Sequence, residues 1–184
     1  MNKLHTLFLI VLFAFTSVIV NAQHLVISEF ATRGSSAATD EFCELYNPTD
    51  AVIDLSGWKL EYKSATGTTW LIKANIPAGK TIPSHGYFLI APTSYIGNVL
   101  PDYVPAEWNS GNADNGHLHI INAANTEIDK VGWGNGSDPE GCPAPNHGTS
   151  ANNNSVERKA YTTSTSYSLC PIGAHSLKGN GHDT

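Results

Sequence analysis

The segment from Asp40 to Leu60, DEFCELYNPTDAVIDLSGWKL, leaves the chain little choice of architecture. From Glu41 to Tyr46 the residues alternate, with Cys43 and Leu45 on one side and Phe42, Glu44 and Tyr46 on the other, which is the period of a β-strand. Asn47-Pro48-Thr49-Asp50 ends that strand, because proline donates no ladder hydrogen bond while Asn and Asp bond their own turn backbone. Val52 to Leu55 restarts an apolar run. Ser56-Gly57 then turns the chain again and delivers Trp58 and Leu60 into a further strand, where each contributes about 1.5 to 3 kcal/mol on burial. Strand, reversal, short strand and reversal in such quick succession predict the start of a small β-sandwich.

The rest of the chain keeps to the same vocabulary. No run holds helical spacing for three turns, and 184 residues that are 41% hydrophobic and 14% charged suit one domain with its own core. His24 to Ala31 reads as a strand with Leu25, Ile27 and Glu29 on one face and Val26, Ser28 and Phe30 on the other. Thr69 to Lys73 is a further strand. Tyr87 to Ala91 is apolar on both sides and is expected to be the most buried strand, either inside a sheet or near an edge beneath a loop. Gly116 to Asn122 and Thr126 to Trp133 form a hairpin around Ala123-Ala124-Asn125, and Ser155 to Lys159 is a short closing strand with Val156 inward. Pro92 to Asn115 and Gly134 to Asn154 are long loops. The fold class expected is all-β, an antiparallel β-sandwich with long loops.

The first 22 residues carry Lys3, an apolar run from Leu7 to Val20, and Val20-Asn21-Ala22 at the position of a cleavage site. That is the pattern of a secretory signal peptide, and the run of about 14 residues is short of the roughly 20 that a spanning helix needs. The expected organisation is a signal peptide over residues 1–22, a β-sandwich domain over 23–160, and a Ser/Thr-rich tail over 161–184. Export places the mature chain outside the cell or at its surface, with no transmembrane segment after cleavage. Removing residues 1–22 takes away Lys3 and no acid, so the formal charge goes from −6 to −7. Lys59, Lys63, Lys73, Lys80, Lys130, Arg158, Lys159 and Lys178 are scattered singly, without the basic stripe that displaces counterions from a duplex. Nucleic acid is not an expected partner.

Candidate chemistry is sparse. Of Cys43, Cys142 and Cys170, the first lies mid-strand on an apolar face and reads as a small buried hydrophobe. Cys142 and Cys170 lie in loop-like sequence and are the candidate disulfide; a bridge would close about 28 residues and contribute roughly 3.5 kcal/mol, and unpaired thiols are the alternative. Tyr103 and Trp108, on the longest irregular segment, are candidate binding residues able to stack on a sugar or peptide, or else anchors of their own loop. His117 and His119 share a strand face about 7 Å apart. With nearby acids they suggest a metal-dependent hydrolase, but no third ligand completes the spacing and an exposed strand face is the simpler expectation. Glu29 reads as a rim carboxylate. The amide-rich turns lack the regular Asp series of a calcium loop, so no metal or cofactor is expected.

Several blocks together resemble one family. VISEF at Val26 to Phe30, DEFCELYNPTD at Asp40 to Asp50 and DLSGWKL at Asp54 to Leu60 are similar to motifs of bacterial lamin tail domains, the immunoglobulin-like β-sandwich also found at the end of nuclear lamins. So are IPAGKTIPSHGYFLIA at Ile76 to Ala91, IDKVGWG at Ile128 to Gly134 and SVERK at Ser155 to Lys159. Cys43 departs from the family's branched aliphatic residue. GNGHDT at Gly179 to Thr184 resembles an acidic turn that leads to a last strand, so the resemblance implies a truncated chain. It further implies a module that is not itself an enzyme and that contacts partner proteins or a cell surface, accessory to a larger extracellular protein. Glu29, Glu41, Glu44 and Asn47 fall in the family's blocks and are expected to fix turns and strand ends. The alternative expectation is a carbohydrate-binding module that uses the loop aromatics on a glycan.

Overall fold

The computed structural model describes residues 24–34, 37–146 and 155–158. Among these there are ten strands and no helix. In chain order they are β1 (Val26–Ala31), β2 (Phe42–Tyr46), β3 (Ile53–Asp54), β4 (Lys59–Ser64), β5 (Leu71–Asn75), β6 (Thr81–Ile82), β7 (Tyr87–Ile90), β8 (Gly116–Ile121), β9 (Glu127–Trp133) and β10 (Val156–Glu157). Two four-stranded antiparallel sheets, ordered β10-β1-β2-β7 and β5-β4-β8-β9, enclose the core, and β3 pairs with β6 in a small third sheet. This is the expected immunoglobulin-like β-sandwich. Leu25, Ile27, Phe30, Cys43, Leu45 and Ile90 from the first sheet meet Leu60, Tyr62, Ala74, Leu118, Ile120, Val131 and Trp133 from the second. Trp133 is fully buried, with its ring 4.9 Å from Phe30 and 6.1 Å from Tyr62 between centroids.

Two expectations about strands are corrected. Strict alternation puts Phe30 opposite Ile27 and Glu29 beside it, yet Ile27 and Phe30 are both in the core. The reason is a register shift in β1 between Ile27 and Glu29: an extra residue exchanges the two faces beyond it. A bulge leaves backbone groups outside the ladder, and here they find new partners. The Ile27 N–H donates to Asp129 Oδ2 on β9 at 2.5 Å, and the Arg158 N–H donates to the Ser28 carbonyl at 2.7 Å. Arg158 then ion-pairs with Asp129 at 3.2 Å. Three segments distant in sequence therefore converge on one irregularity.

The second correction concerns β7. It is an edge strand with Tyr87 exposed, and the strand buried along its whole length is β8. The run Phe88–Ile90 is apolar because it lies at an edge beneath the long loop, where Tyr103 bridges Ile90 and the Asp102 carboxylate accepts the Leu89 N–H at 2.8 Å. Cys43 is free and buried, as read from the strand face. Cys142 is disulfide-bonded, and Cys170 lies outside the described residues, as do the signal peptide and the tail.

The reversals follow their side chains. Asn47 is fully buried, and its Nδ2 donates to the carbonyls of Ala51 at 2.7 Å and Pro83 at 2.9 Å. Its Oδ1 accepts from the Thr49 N–H and hydroxyl at 3.0 and 2.8 Å. Asn47 thus fixes its own turn and ties it to the segment after β6. In the next turn the Trp58 N–H reaches the Leu55 carbonyl at 3.0 Å with Gly57 at φ 75°, a backbone state that favours glycine.

Both anchors are testable by chemical denaturation. Asn47→Ala strands two carbonyls and an amide and is expected to cost about 2–4 kcal/mol. Asp129→Ala leaves Arg158 without its buried partner and the bulge amide without an acceptor, and is expected to cost about 3–5 kcal/mol. A surface control, Lys59→Ala, should fall within about 0.5 kcal/mol of the wild type.

Candidate functional site

The two sheets present different outer faces. On the second, His117 and His119 are buried, not exposed as the strand pattern suggests, because Trp70 from the loop before β5 folds over them. Trp70 stacks on His119 with ring centroids 3.5 Å apart and planes 5° from parallel. His119 Nε2 lies 2.8 Å from Glu61 Oε2 and Nδ1 lies 2.8 Å from Glu127 Oε2. A carboxylate oxygen accepts from whichever ring nitrogen carries a proton. Around it Lys63 pairs with Asp138 at 2.9 Å and sits 4.6 Å from the Trp70 ring, while Lys130 reaches Glu127 at 3.3 Å and Asp138 at 3.2 Å.

His117 Nε2 accepts the Asp138 N–H at 2.9 Å, and burial holds its pKa below the ordinary histidine range. It is a neutral structural acceptor. All four imidazole nitrogens therefore lie against protein groups, and among the described residues no group of three His, Cys, Asp or Glu is arranged to hold a metal ion. What this face can do chemically is hold charge in balance.

The two aromatic candidates lie elsewhere. Trp108 is 3% exposed, a core residue whose Nε1 donates to Glu41 Oε2 at 2.8 Å. Its ring is not offered as a stacking platform. Tyr103 is half-buried, packs on the core, and donates its hydroxyl to the Asn75 carbonyl at 2.8 Å. Both pin the long loop to the sandwich. The group that makes this possible is Glu41, which also accepts the Asn112 N–H at 2.5 Å. Beside it Lys73, 1% exposed, donates to the Ser110 carbonyl at 2.7 Å and lies 5.1 Å from the Tyr62 ring. Burial drives the Glu41 carboxyl up to about 7 against the pull of its hydrogen bonds and Lys73, and drives the Lys73 ammonium down. Asp129 is likewise pushed to about 7 by burial, opposed by Arg158.

The outer face of the first sheet is less settled. Glu29 stands opposite Glu157 on β10 and Glu44 on β2. Tyr46 and Tyr87 lie side by side with centroids 4.8 Å apart. Next to the carboxylates is a cavity of about 280 Å³ floored by Ala31 and Phe42 and walled by Tyr95, Ile96 and Gly97. Beyond it the loop exposes Ile96, Val99 and Leu100 at 60, 64 and 90%. This stretch is fastened at both ends. The Ile96 N–H donates to Asp40 at 3.0 Å and the Ser94 hydroxyl to the Thr39 carbonyl at 2.5 Å, while the Asp102 N–H reaches the Leu89 carbonyl at 2.9 Å.

Among the described residues, none of the site residues expected from the sequence lies on this face. Its signal was available in Ile96, Val99 and Leu100, apolar residues between prolines in a loop. The carboxylate row was hidden by the bulge. Compared with known families, residues 20–135 match the model described as Lamin Tail Domain. No curated protein matches the chain.

Glu41 supplies a pH test with a definite sign. Its folded pKa lies above that of an unfolded glutamate, so the folded state binds more protons between about 4.5 and about 7. The stabilisation is present in full below that window and is lost as pH rises through it. Glu41→Gln does not titrate, so it should gain on the wild type by on the order of 1–3 kcal/mol between the acid and alkaline sides of the window. Urea midpoints at pH 5 and pH 8 check this; a constant offset would mean that Glu41 stays ionised throughout.

Proposed function

The chain belongs to the lamin tail domain family, and on that premise we propose that it is a secreted, non-catalytic module that binds a protein or cell-surface component, accessory to a larger extracellular protein. The observation that carries this reading is the loop apex at Ile96, Val99 and Leu100, apolar and exposed yet fastened at both ends. Exposing such side chains costs solubility, and holding them on an ordered loop lowers the entropy lost on binding. The family consists of immunoglobulin-like modules without catalytic residues. The histidines that prompted a hydrolase reading serve the packing of Trp70. The glycan reading rested on Trp108 and Tyr103, and with Trp108 in the core it yields first place to a protein partner.

Export accounts for the apolar leader at residues 1–22 and for a cysteine in a disulfide, which forms and persists outside the cytosol. Two measurements test the proposal. Protein recovered from the medium or cell surface should begin at Gln23 on N-terminal sequencing; an intact Met1 would remove the export step. The exported chain, immobilised and exposed to extracellular and envelope proteins of its host, should retain a species that Leu100→Asp releases. Retention indifferent to Leu100→Asp and Val99→Asp would remove the loop from the interface.

A further inference from the structure

The carboxylates on the first sheet's outer face stand where a sheet tolerates them poorly. Glu29 faces Glu44 across the β1–β2 ladder and Glu157 across β1–β10, and like charges directly opposite destabilise a sheet. The Ser28 hydroxyl donates to Glu44 at 2.7 Å, but among the described residues no lysine, arginine or histidine is ion-paired with Glu29 or Glu44. The outer face of the other sheet shows the contrast, since Glu127 and Asp138 lie against lysines there and Glu61 against the His119 ring.

Glu29 also lines the cavity. Among the described residues, the other charged groups that line that space are engaged: Arg33 lies 2.8 Å from Asp114, and Asp40 accepts the Ile96 N–H. Phe42 and Tyr95 meet edge to face with centroids 6.0 Å apart, and both line the cavity. A negative field reaches it. The Tyr95 phenol is held above its ordinary pKa by burial and then by Asp40, Glu29 and Glu44. At about 280 Å³ the space is at the lower limit for a free small ligand, but suits one long side chain. An aliphatic stem would lie along Ala31, Phe42 and Ile96, and a cationic head would meet the ring faces and the Glu29 carboxylate.

We propose that this cavity receives a lysine or arginine side chain from a basic segment of the partner protein, with Glu29 in the lining and Glu44 across the ladder from it as the charge complement, and Phe42 and Tyr95 as the aromatic lining. The proposal deepens the interaction reading above and rests on it. Val99 and Leu100, just beyond the Tyr95–Gly97 wall, would take apolar residues flanking the basic one. The partner's recognition segment is thus cationic and apolar in alternation, complementary to an acidic chain.

Nuclear magnetic resonance titration of the exported chain with the methylamides of Nα-acetyl-lysine, Nα-acetyl-arginine and Nα-acetyl-norleucine tests the site. The cationic probes should shift the amides of Ala31, Phe42, Tyr95 and Gly97 saturably, and the uncharged norleucine probe should not. Glu29→Gln should weaken the cationic probes about tenfold, the loss of one charge-assisted contact, and Phe42→Leu should weaken them while leaving the fold intact. Equal shifts from all three probes, or wild-type affinity in Glu29→Gln, would overturn the proposal. A partner retained equally by wild type and Glu29→Gln also overturns the site while leaving the interaction reading in place; failure to retain any partner overturns that reading itself.

Discussion

The bulge in β1 is the constraint on which both faces of the first sheet depend. Without the extra residue at Ile27–Glu29, Phe30 would point away from Trp133 and Glu29 would point into the core. A bulge survives only if its unladdered groups are satisfied, since an orphaned buried amide costs about as much as a lost hydrogen bond. Asp129 and Arg158 do this together, one accepting the Ile27 N–H and the other donating to the Ser28 carbonyl. Asp129 without Arg158 would be an uncompensated buried anion, so the ion pair follows from the bulge. A buried pair of this kind adds little net stability against an apolar substitute, but it selects one register. The blocks VISEF, IDKVGWG and SVERK look unrelated in the chain. They are three parts of one joint.

β2 plays the matching role at the sheet's centre. Its inward residues, followed just past each strand end, run Glu41, Cys43, Leu45 and Asn47, and all four are essentially inaccessible. The middle pair is core. The outer pair are polar groups whose partners lie in distant loops: Glu41 gathers Trp108 and Asn112, and Asn47 gathers Ala51 and Pro83. One strand therefore fastens a long loop at one end and two turns at the other. Cys43 has Phe30 opposite it across the ladder and Ile90 on the other side.

Much of this was legible in the sequence. The period of two places Glu41 on the inward side with Cys43, and the Asn-Pro-Thr-Asp and Ser-Gly steps mark their turns. What could not be read required contacts distant along the chain. Ser28 carries no local sign of a bulge, because the groups that hold it lie about a hundred residues later. Leu71 and Ile72 are partly exposed while Lys73 is buried, the reverse of hydrophobic order, since a register shift in β4–β5 turns Lys73 towards the Ser110 carbonyl. An inward lysine on an edge strand also discourages a further strand from adding there. His117 and His119 look solvent-facing until Trp70 arrives from a loop, and Trp108 looks like a ligand platform until Glu41 takes its indole N–H.

The two outer faces then differ for a structural reason. On the second sheet the acids and bases alternate across β4, β8, β9 and the following loop, so Glu127 and Asp138 are ion-paired with lysines and Glu61 is hydrogen-bonded to His119 beneath and around Trp70. On the first sheet the bulge turns Glu29 into the row of Glu44, and no base among the described residues stands on β2 or β7 to answer it. Three carboxylates, Glu29, Glu44 and Glu157, thereby share one outer face, and Glu29 lines the cavity together with Ile96 of the loop. Charge at that position cannot be moved by sliding the strand, because a shift of one residue would take Phe30 out of the core along with it. The same joint that seats the core ring on Trp133 therefore also fixes where the acidic face meets the loop.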